Sequence, residues 1–360
     1  MKYFKPIVIS SSFFTCSMPL NLDTYRYCPF QCEYCFMKNR VIGKRIEDIP
    51  PNIKWLKYKF KKVYDKKDVK KSDFIETLLK NKIDLHCGTK SEAFQPAEKT
   101  KQYTKQIVDI CNEYDQHIVF TTKSDSYYDV DVDPSMHSFQ FSVTNHYSDK
   151  FLEPNVPSIE KRLEFYKQLK DEGFKVGLRI EPFIPNITDV PKIVELFDDI
   201  DYVHISQLMM LPQITHDELL KHIQCPRSDF ITHGVTIMKP EILYRFLEQV
   251  FDFLEDHNYN WNSRFMNVGN QECCCGDELV RNSTKFDTLH LKNKYGDDWS
   301  INDGLRELGE YKDCKCDYVW TSNRRHGCVT VEDFYKFKWD SSRCTFNPKN
   351  QFKPQNNTLM

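Results

Sequence analysis

Between residues 72 and 210 the chain alternates two hydrophobic rhythms. Phe74-Ile75 and Leu78-Leu79 recur at helical spacing, and residues 83–88 form a short apolar run ending at Gly88. Residues 96–114 predict one amphipathic helix, with Pro96 near its first turn and Ile107, Ile110, Cys111 and Tyr114 on one face. Residues 117–122 read as a strand, and Phe139, Phe141 and Val143 alternate along another. A helix opens after Ser158 as N-cap and stops at Gly173. Strands at 175–180 and 202–205 flank a helix at 190–197. With a strand at 21–26, about six βα units fill residues 21–210. Strands alternating with helices imply a parallel sheet, and the fold class is α/β, a partial (β/α)6 TIM-type barrel. After residue 211 the rhythm stops, apart from one strong helix from Pro240 to Asn258. The expected organisation is a lead-in at 1–19, the barrel at 20–235 and a helical, cysteine-rich extension at 236–346. The polar end, 347–360, is expected to be disordered.

Composition changes this picture little. A net charge of −2 over 360 residues gives no global case for nucleic acid or membrane, and no apolar stretch has the length of a membrane span. Residues 54–71 are the local exception. Nine lysines there face two aspartates and interleave with Trp55, Tyr58, Phe60 and Tyr64. The stretch admits two readings: a phosphate- and base-binding surface, or a solvated helix face whose aromatics pack on the domain. Fourteen cysteines at clustered spacings in a long chain favour a reducing compartment over a disulfide framework, so a soluble, cytoplasmic protein is expected.

Barrels of this kind collect their chemistry at the C-terminal ends of the strands. Cys28, Cys32 and Cys35 fall at such an end, spaced C-x3-C-x2-C in the run YCPFQCEYCF. Thiolates this close can converge on one metal centre. Three of them leave a position open, which a catalytic centre needs and a closed zinc site does not.

This loop resembles that of the radical S-adenosylmethionine (radical SAM) enzymes, and three further segments resemble the branch similar to spore photoproduct lyase. They are GTKSEAFQPAE at 88–98, TTKS at 121–124, and NVPSIEKRL at 155–163 followed by GLRIEPFIP at 177–185. Glu92-Ala93-Phe94 departs from the Asp-Pro-Tyr of that branch, and the tail matches nothing in it. The resemblance covers roughly residues 20–210. It implies a [4Fe–4S] cluster on Cys28, Cys32 and Cys35, with SAM chelated to the fourth iron and cleaved to a 5′-deoxyadenosyl radical. It also implies SAM contacts from Gly88, Thr89, Lys123, Ser142 and Arg179, and an electron donor of reductase or flavodoxin type. Cys87 takes the place of a cysteine that returns a hydrogen atom to the product radical; a buried structural cysteine is the other reading of that position. The substrate is left unknown, with nucleic acid one candidate.

The tail adds Cys273-Cys274-Cys275, Cys314, Cys316, Cys328 and Cys344. Cys314, Cys316 and Cys328 are the candidate ligands of a second site. Fe–S cluster, zinc and plain packing thiols all fit their spacing. The alternative to an enzyme is a non-catalytic Fe–S or zinc protein that binds nucleic acid.

Overall fold

A computed structural model describes residues 2–10, 16–37, 49–65, 74–211, 215–233, 235–263, 268–270 and 275–283, and two short strands at Tyr318–Trp320 and Cys328–Thr330. In chain order, Ile7–Ile9 (β1) and Leu20–Leu22 (β2) precede two helices, Ile53–Tyr64 (α1) and Phe74–Lys80 (α2). Leu85–Cys87 (β3), Glu98–Lys101 (α3), Tyr103–Glu113 (α4), Ile118–Thr122 (β4) and His137–Ser142 (β5) follow. Then come Ile159–Asp171 (α5), Val176–Phe183 (β6), Val190–Leu196 (α6) and Tyr202–Gln207 (β7). Beyond them, Met209–Met210 (β8), Phe230–His233 (β9) and Val235–Met238 (β10) make a small antiparallel sheet around the helix Asp217–His222 (α7) in sequence. The helix Pro240–Asp256 (α8) leads into Trp261–Ser263 (β11) and Val268–Gly269 (β12).

The main sheet runs β1-β2-β3-β4-β5-β6-β7-β11-β12. Strands β2 to β7 are mutually parallel, as expected, and the two ends of the sheet do not pair, so the barrel is partial. Two boundaries need correction. Residues 1–19 are not merely an irregular lead-in, because β1 pairs antiparallel with β2. The barrel does not end at 235 either: β11 adds a further parallel strand beside β7, through Trp261↔Val203 and Asn262↔His204. Helix α8 buries Leu243, Leu247, Val250 and Leu254 in the same core, and Phe251 stacks on Trp261 at 4.8 Å. Three strand residues after a helix show too little alternation to be seen in sequence.

The single helix expected over 96–114 is two. Gln102 takes a left-handed conformation, φ +49°, between α3 and α4. The Glu98 carboxylate then accepts from the backbone N–H of Thr104 (3.0 Å) and Lys105 (2.8 Å), capping the new N-terminus.

The lysine-rich stretch is structural where it is described. Lys59 and Lys62 both reach the buried Glu76, at 2.5 and 2.6 Å. Phe60 is fully buried, and Tyr64 stacks on Tyr114 and donates its hydroxyl to Leu79 O and Gln116 Oε1. Of its four aromatics only Tyr58 is an exposed large ring. The packed-face reading therefore holds for α1, and the nucleic-acid alternative loses its aromatic platform there. Among the described residues no helix is long and apolar enough to cross a membrane.

Candidate cofactor site at the barrel mouth

Side chains of alternating parity share the inner face of the sheet. Its middle layer is polar and hydrogen-bonded from strand to strand. His86 Nε2 meets Thr121 Oγ1 at 2.8 Å, Thr121 donates to Gln140 Oε1 at 3.1 Å, and Arg179 donates to the same oxygen at 3.3 Å. Across the sheet, His204 Nδ1 and the Tyr202 hydroxyl both meet Asn262 Oδ1, at 2.7 and 2.5 Å. Residues 275–283 close the floor. Gln140 donates to Cys275 O, Ser138 donates to Leu279 O, and two backbone N–H groups of the segment donate to Asp84 Oδ2. The buried Cys275 thiol thus faces His86 at 3.9 Å, inside the barrel.

Above this layer lie the strand ends. The loop after β2 carries Cys28, half-buried, Cys32, buried, and Cys35, half-buried, with Cys35 N bonded to Cys32 O at 3.1 Å. The three thiols feel one another electrostatically. Burial, then the Glu92 carboxylate, pushes the Cys28 thiol up to about 11. Burial, then Glu153, pushes Cys32 up, against the opposing pull of Lys123. Bare, Cys28 and Cys32 are held as thiols, and a metal that binds them must displace their protons.

Glu153 holds the site together. Its carboxylate accepts from Lys123 Nζ at 2.8 Å, Thr144 Oγ1 at 3.2 Å and the Tyr34 hydroxyl of the cysteine loop, with Arg162 at 3.5 Å. Burial alone would raise its pKa, but Lys123 and Arg162 overcome this and pull it down to about 2. Lys123 also donates to Ser142 O at 3.1 Å and lies over the Tyr34 ring, 5.5 Å from its centroid. Glu92, buried, accepts from Lys123 N, Thr122 Oγ1 and Phe94 N, so it fixes the end of β4 against the loop after β3. In that loop, Lys90 pairs with Asp23 at 2.8 Å and the Thr89 hydroxyl faces the same carboxylate.

The expected residues are thus distributed as follows. Gly88, Thr89, Lys123 and Ser142 stand at successive strand ends with the three cysteines. Lys123 is already engaged by Glu153, so a bound carboxylate must share its ammonium. Arg179 lies one layer lower, paired with Glu181 and Gln140. Cys87 is corrected. His86 turns inward, so Cys87 faces the helix side of β3, beside Cys111 of α4, and burial pushes its thiol far up. A hydrogen-atom donor must reach the mouth, and this side chain points away from the inner face. Cys314 and Cys316 lie outside the described residues. Cys328 opens a strand paired with Tyr318–Trp320, and its side chain is not described.

Gly88 has a specific constraint. Its φ is +94°, and a Cβ there would stand 2.1 Å from Thr121 O. Left-handed strain of about 1–2 kcal/mol and overpacking of about 1–3 kcal/mol would add. Gly88→Ala is therefore expected to lower stability by about 3 kcal/mol in urea unfolding; a loss below about 1 kcal/mol would show that the loop can shift.

Two observations bear on a cofactor. Among the described residues, no three Cys, His, Asp or Glu side chains crowd closely enough to hold a single metal ion. Buried polar atoms without partners also sit at these strand ends: both amide atoms of Asn145, the Ser206 hydroxyl and Gln207 Oε1. Orphaned buried donors and acceptors are costly and mark a place where a polar ligand would satisfy them.

No protein-family model matches the chain. An uncharacterised protein of Methanocaldococcus jannaschii is 26% identical over 180 residues, spanning 48% of this chain but only 63% of that protein. Spore photoproduct lyase with bound AdoMet and dinucleoside spore photoproduct superposes with a TM-score of 0.50, at 13% identity, over 69% of this chain and 76% of the lyase. A second lyase complex with the dinucleoside lesion gives the same TM-score and coverage at 12% identity. The chain shares the fold of spore photoproduct lyase. The lyase fold is therefore the frame in which the cysteine loop and the strand ends are placed.

Glu153, Tyr34 and Asn145 were not found as site residues by sequence reasoning, and Glu92 was noted there only as a departure from the lyase-like segment. Glu153 lies 30 residues beyond Lys123, and only the requirement that a buried cation have a counter-charge could have pointed to an acid there.

Proposed function

We propose that this chain is a radical SAM enzyme. The observation that carries the reading is the trio Cys28, Cys32 and Cys35 at the mouth of a partial parallel barrel with the lyase fold, beside unpartnered buried polar groups. The lyase is known with AdoMet bound, and the same ligand suits this mouth. A [4Fe–4S] cluster and SAM, when bound, would together supply a 5′-deoxyadenosyl radical that takes hydrogen from an unactivated C–H bond.

The chain's own residues then have definite tasks. Cys28, Cys32 and Cys35 hold three irons. Gly88, having no Cβ, lets the backbone approach the ligand closely, and Thr89 offers a hydroxyl beside it. Lys123 offers a point charge to a carboxylate, with Glu153 fixing its position and Ser142 O supporting it. Asn145, Ser206 and Gln207 supply the remaining donors and acceptors. Arg179, held by Glu181 and Gln140 in the polar layer below, offers its guanidinium to the ribose or carboxylate of the ligand. The closed floor at residues 275–283 excludes water from beneath, which radical chemistry requires. We further propose a nucleic-acid component as one substrate candidate, by analogy with the dinucleoside bound to the lyase, a cytoplasmic location, and a tail site on Cys314, Cys316 and Cys328.

The test is anaerobic reconstitution with iron and sulfide. A brown protein that converts SAM to 5′-deoxyadenosine with dithionite is the expected result. A colourless protein that binds zinc and leaves SAM intact would overturn the reading. Removing the Lys123 charge should weaken SAM binding by about tenfold or more, since a charge-assisted hydrogen bond contributes roughly 1.5–3 kcal/mol; unchanged SAM affinity in Lys123→Ala would leave that side chain a partner of Glu153 alone.

A further inference from the structure

A groove of about 690 Å³ opens beside the cysteine loop, and none of the tasks above uses it. Phe30, between Cys28 and Cys32, forms part of its wall. Beside it lies the loop 150–158, which is laced to the cysteine loop: Asn155 donates to Pro29 O at 3.0 Å, and Glu33 N donates to Leu152 O at 2.8 Å. Lys123 and Glu153 face the thiols, while the next residue after each, Ser124 and Pro154, faces the groove. Three lysines, Lys99, Lys150 and Lys161, line it against a single acid, Asp125.

We propose that this groove is the docking face for an acidic, low-potential electron-donor protein of the flavodoxin type. The proposal rests on the radical SAM reading, which requires one electron from outside. The donor's reduced flavin would lose that electron, and the iron–sulfur group that Cys28, Cys32 and Cys35 would hold would gain it, with no bond formed or broken. The position is suited to this, because the wall of the groove includes Phe30 of the cysteine loop itself, and Ser124 and Pro154, the chain neighbours of Lys123 and Glu153. The charge is suited as well, since a positive concavity steers and holds an acidic partner. A nucleic-acid strand is the less favoured occupant. Of the two rings in the wall, Phe30 is buried in the core and Tyr128 lies under the Lys99 ammonium at 5.1 Å, so neither is free to stack on a base.

The test uses reconstituted protein, Lys99→Glu/Lys161→Glu, and Lys161→Glu alone as a milder variant. Both lysines are exposed, and neither belongs to the cofactor machinery. Flavodoxin binding is measured by titration calorimetry at low and high salt, and SAM cleavage is driven either by flavodoxin with its reductase or by dithionite. The expected result is at least about tenfold weaker flavodoxin binding in the double variant, a smaller loss in the single one, and a flattened salt dependence. Flavodoxin-driven cleavage should fall in step while dithionite-driven cleavage stays at the wild-type rate. Unchanged flavodoxin binding with intact dithionite activity would overturn the docking proposal. So would loss of single-stranded DNA binding in the variants with flavodoxin binding retained, which would assign the groove to nucleic acid. Absence of dithionite-driven cleavage in the wild type would instead remove the radical SAM reading, and the docking proposal with it.

Discussion

Cys28→Ala, Cys32→Ala and Cys35→Ala are each expected to lose the visible absorbance of the reconstituted mouth site and to reduce 5′-deoxyadenosine formation below detection. The effect should be all-or-none. In the proposed reading three thiolates would hold the group, and with one missing it would keep only two protein anchors. Among the described residues no spare cysteine is at hand: Cys87 and Cys111 lie on the helix side of β3, Cys275 is inside the barrel floor, Cys16 donates its thiol to Met18 O, and the buried Cys225 accepts from the Asn186 amide at 3.6 Å. Cys87→Ala is the matching control and should keep both colour and SAM cleavage. Any one of the three loop variants that kept wild-type absorbance and turnover would remove the cluster assignment. A Cys87→Ala variant that kept SAM cleavage but lost product formation would restore the hydrogen-donor role that its outward orientation denies.

What the sequence disclosed follows how local each feature is. The cysteine spacing is a property of eight consecutive residues, and the parallel strands β3 to β7 announce themselves by short runs of apolar or alternating apolar residues, most of them separated by helices. Residue order alone could not say which way a strand side chain points. Cys87 is next to Gly88, so it reads as part of the mouth, yet the two-residue period that aims His86 at Thr121 turns Cys87 away. Nor could it show pairings made across the barrel. Lys123 was legible as a strand-end cation, but its partner Glu153 sits in an irregular segment with no pattern of its own. The lysine-rich stretch misleads for the same reason. Glu76, which absorbs Lys59 and Lys62, belongs to the next helix and is invisible to a charge count over 54–71.

Glu153 gives the second large effect, on stability rather than colour. Its carboxylate is the common partner of Lys123, Arg162, Tyr34 and Thr144, all within the protein interior. Glu153→Ala would leave two buried cations facing each other without an acid, which costs about 3–5 kcal/mol when a buried pair is broken from one side. Glu153→Gln keeps the shape and part of the hydrogen bonding, so its cost should be smaller and should depend on pH. The folded carboxyl titrates at about 2 against an ordinary 4.5, so its contribution is complete above the unfolded value and is lost as pH falls from 4.5 through about 2. At 1.36 kcal/mol per pKa unit the contribution at pH 7 is about 3 kcal/mol, and about 2 kcal/mol of it should be gone by pH 3. Urea unfolding of wild type and Glu153→Gln at pH 7, 5, 4 and 3 measures this directly, because the other carboxylates cancel in the difference. The gap between the two proteins should close on acidification. A gap that stays constant from pH 7 to pH 3 would mean that the acid is not held ionised by Lys123 and Arg162. Lys123 would then be free to give its full charge to an incoming carboxylate.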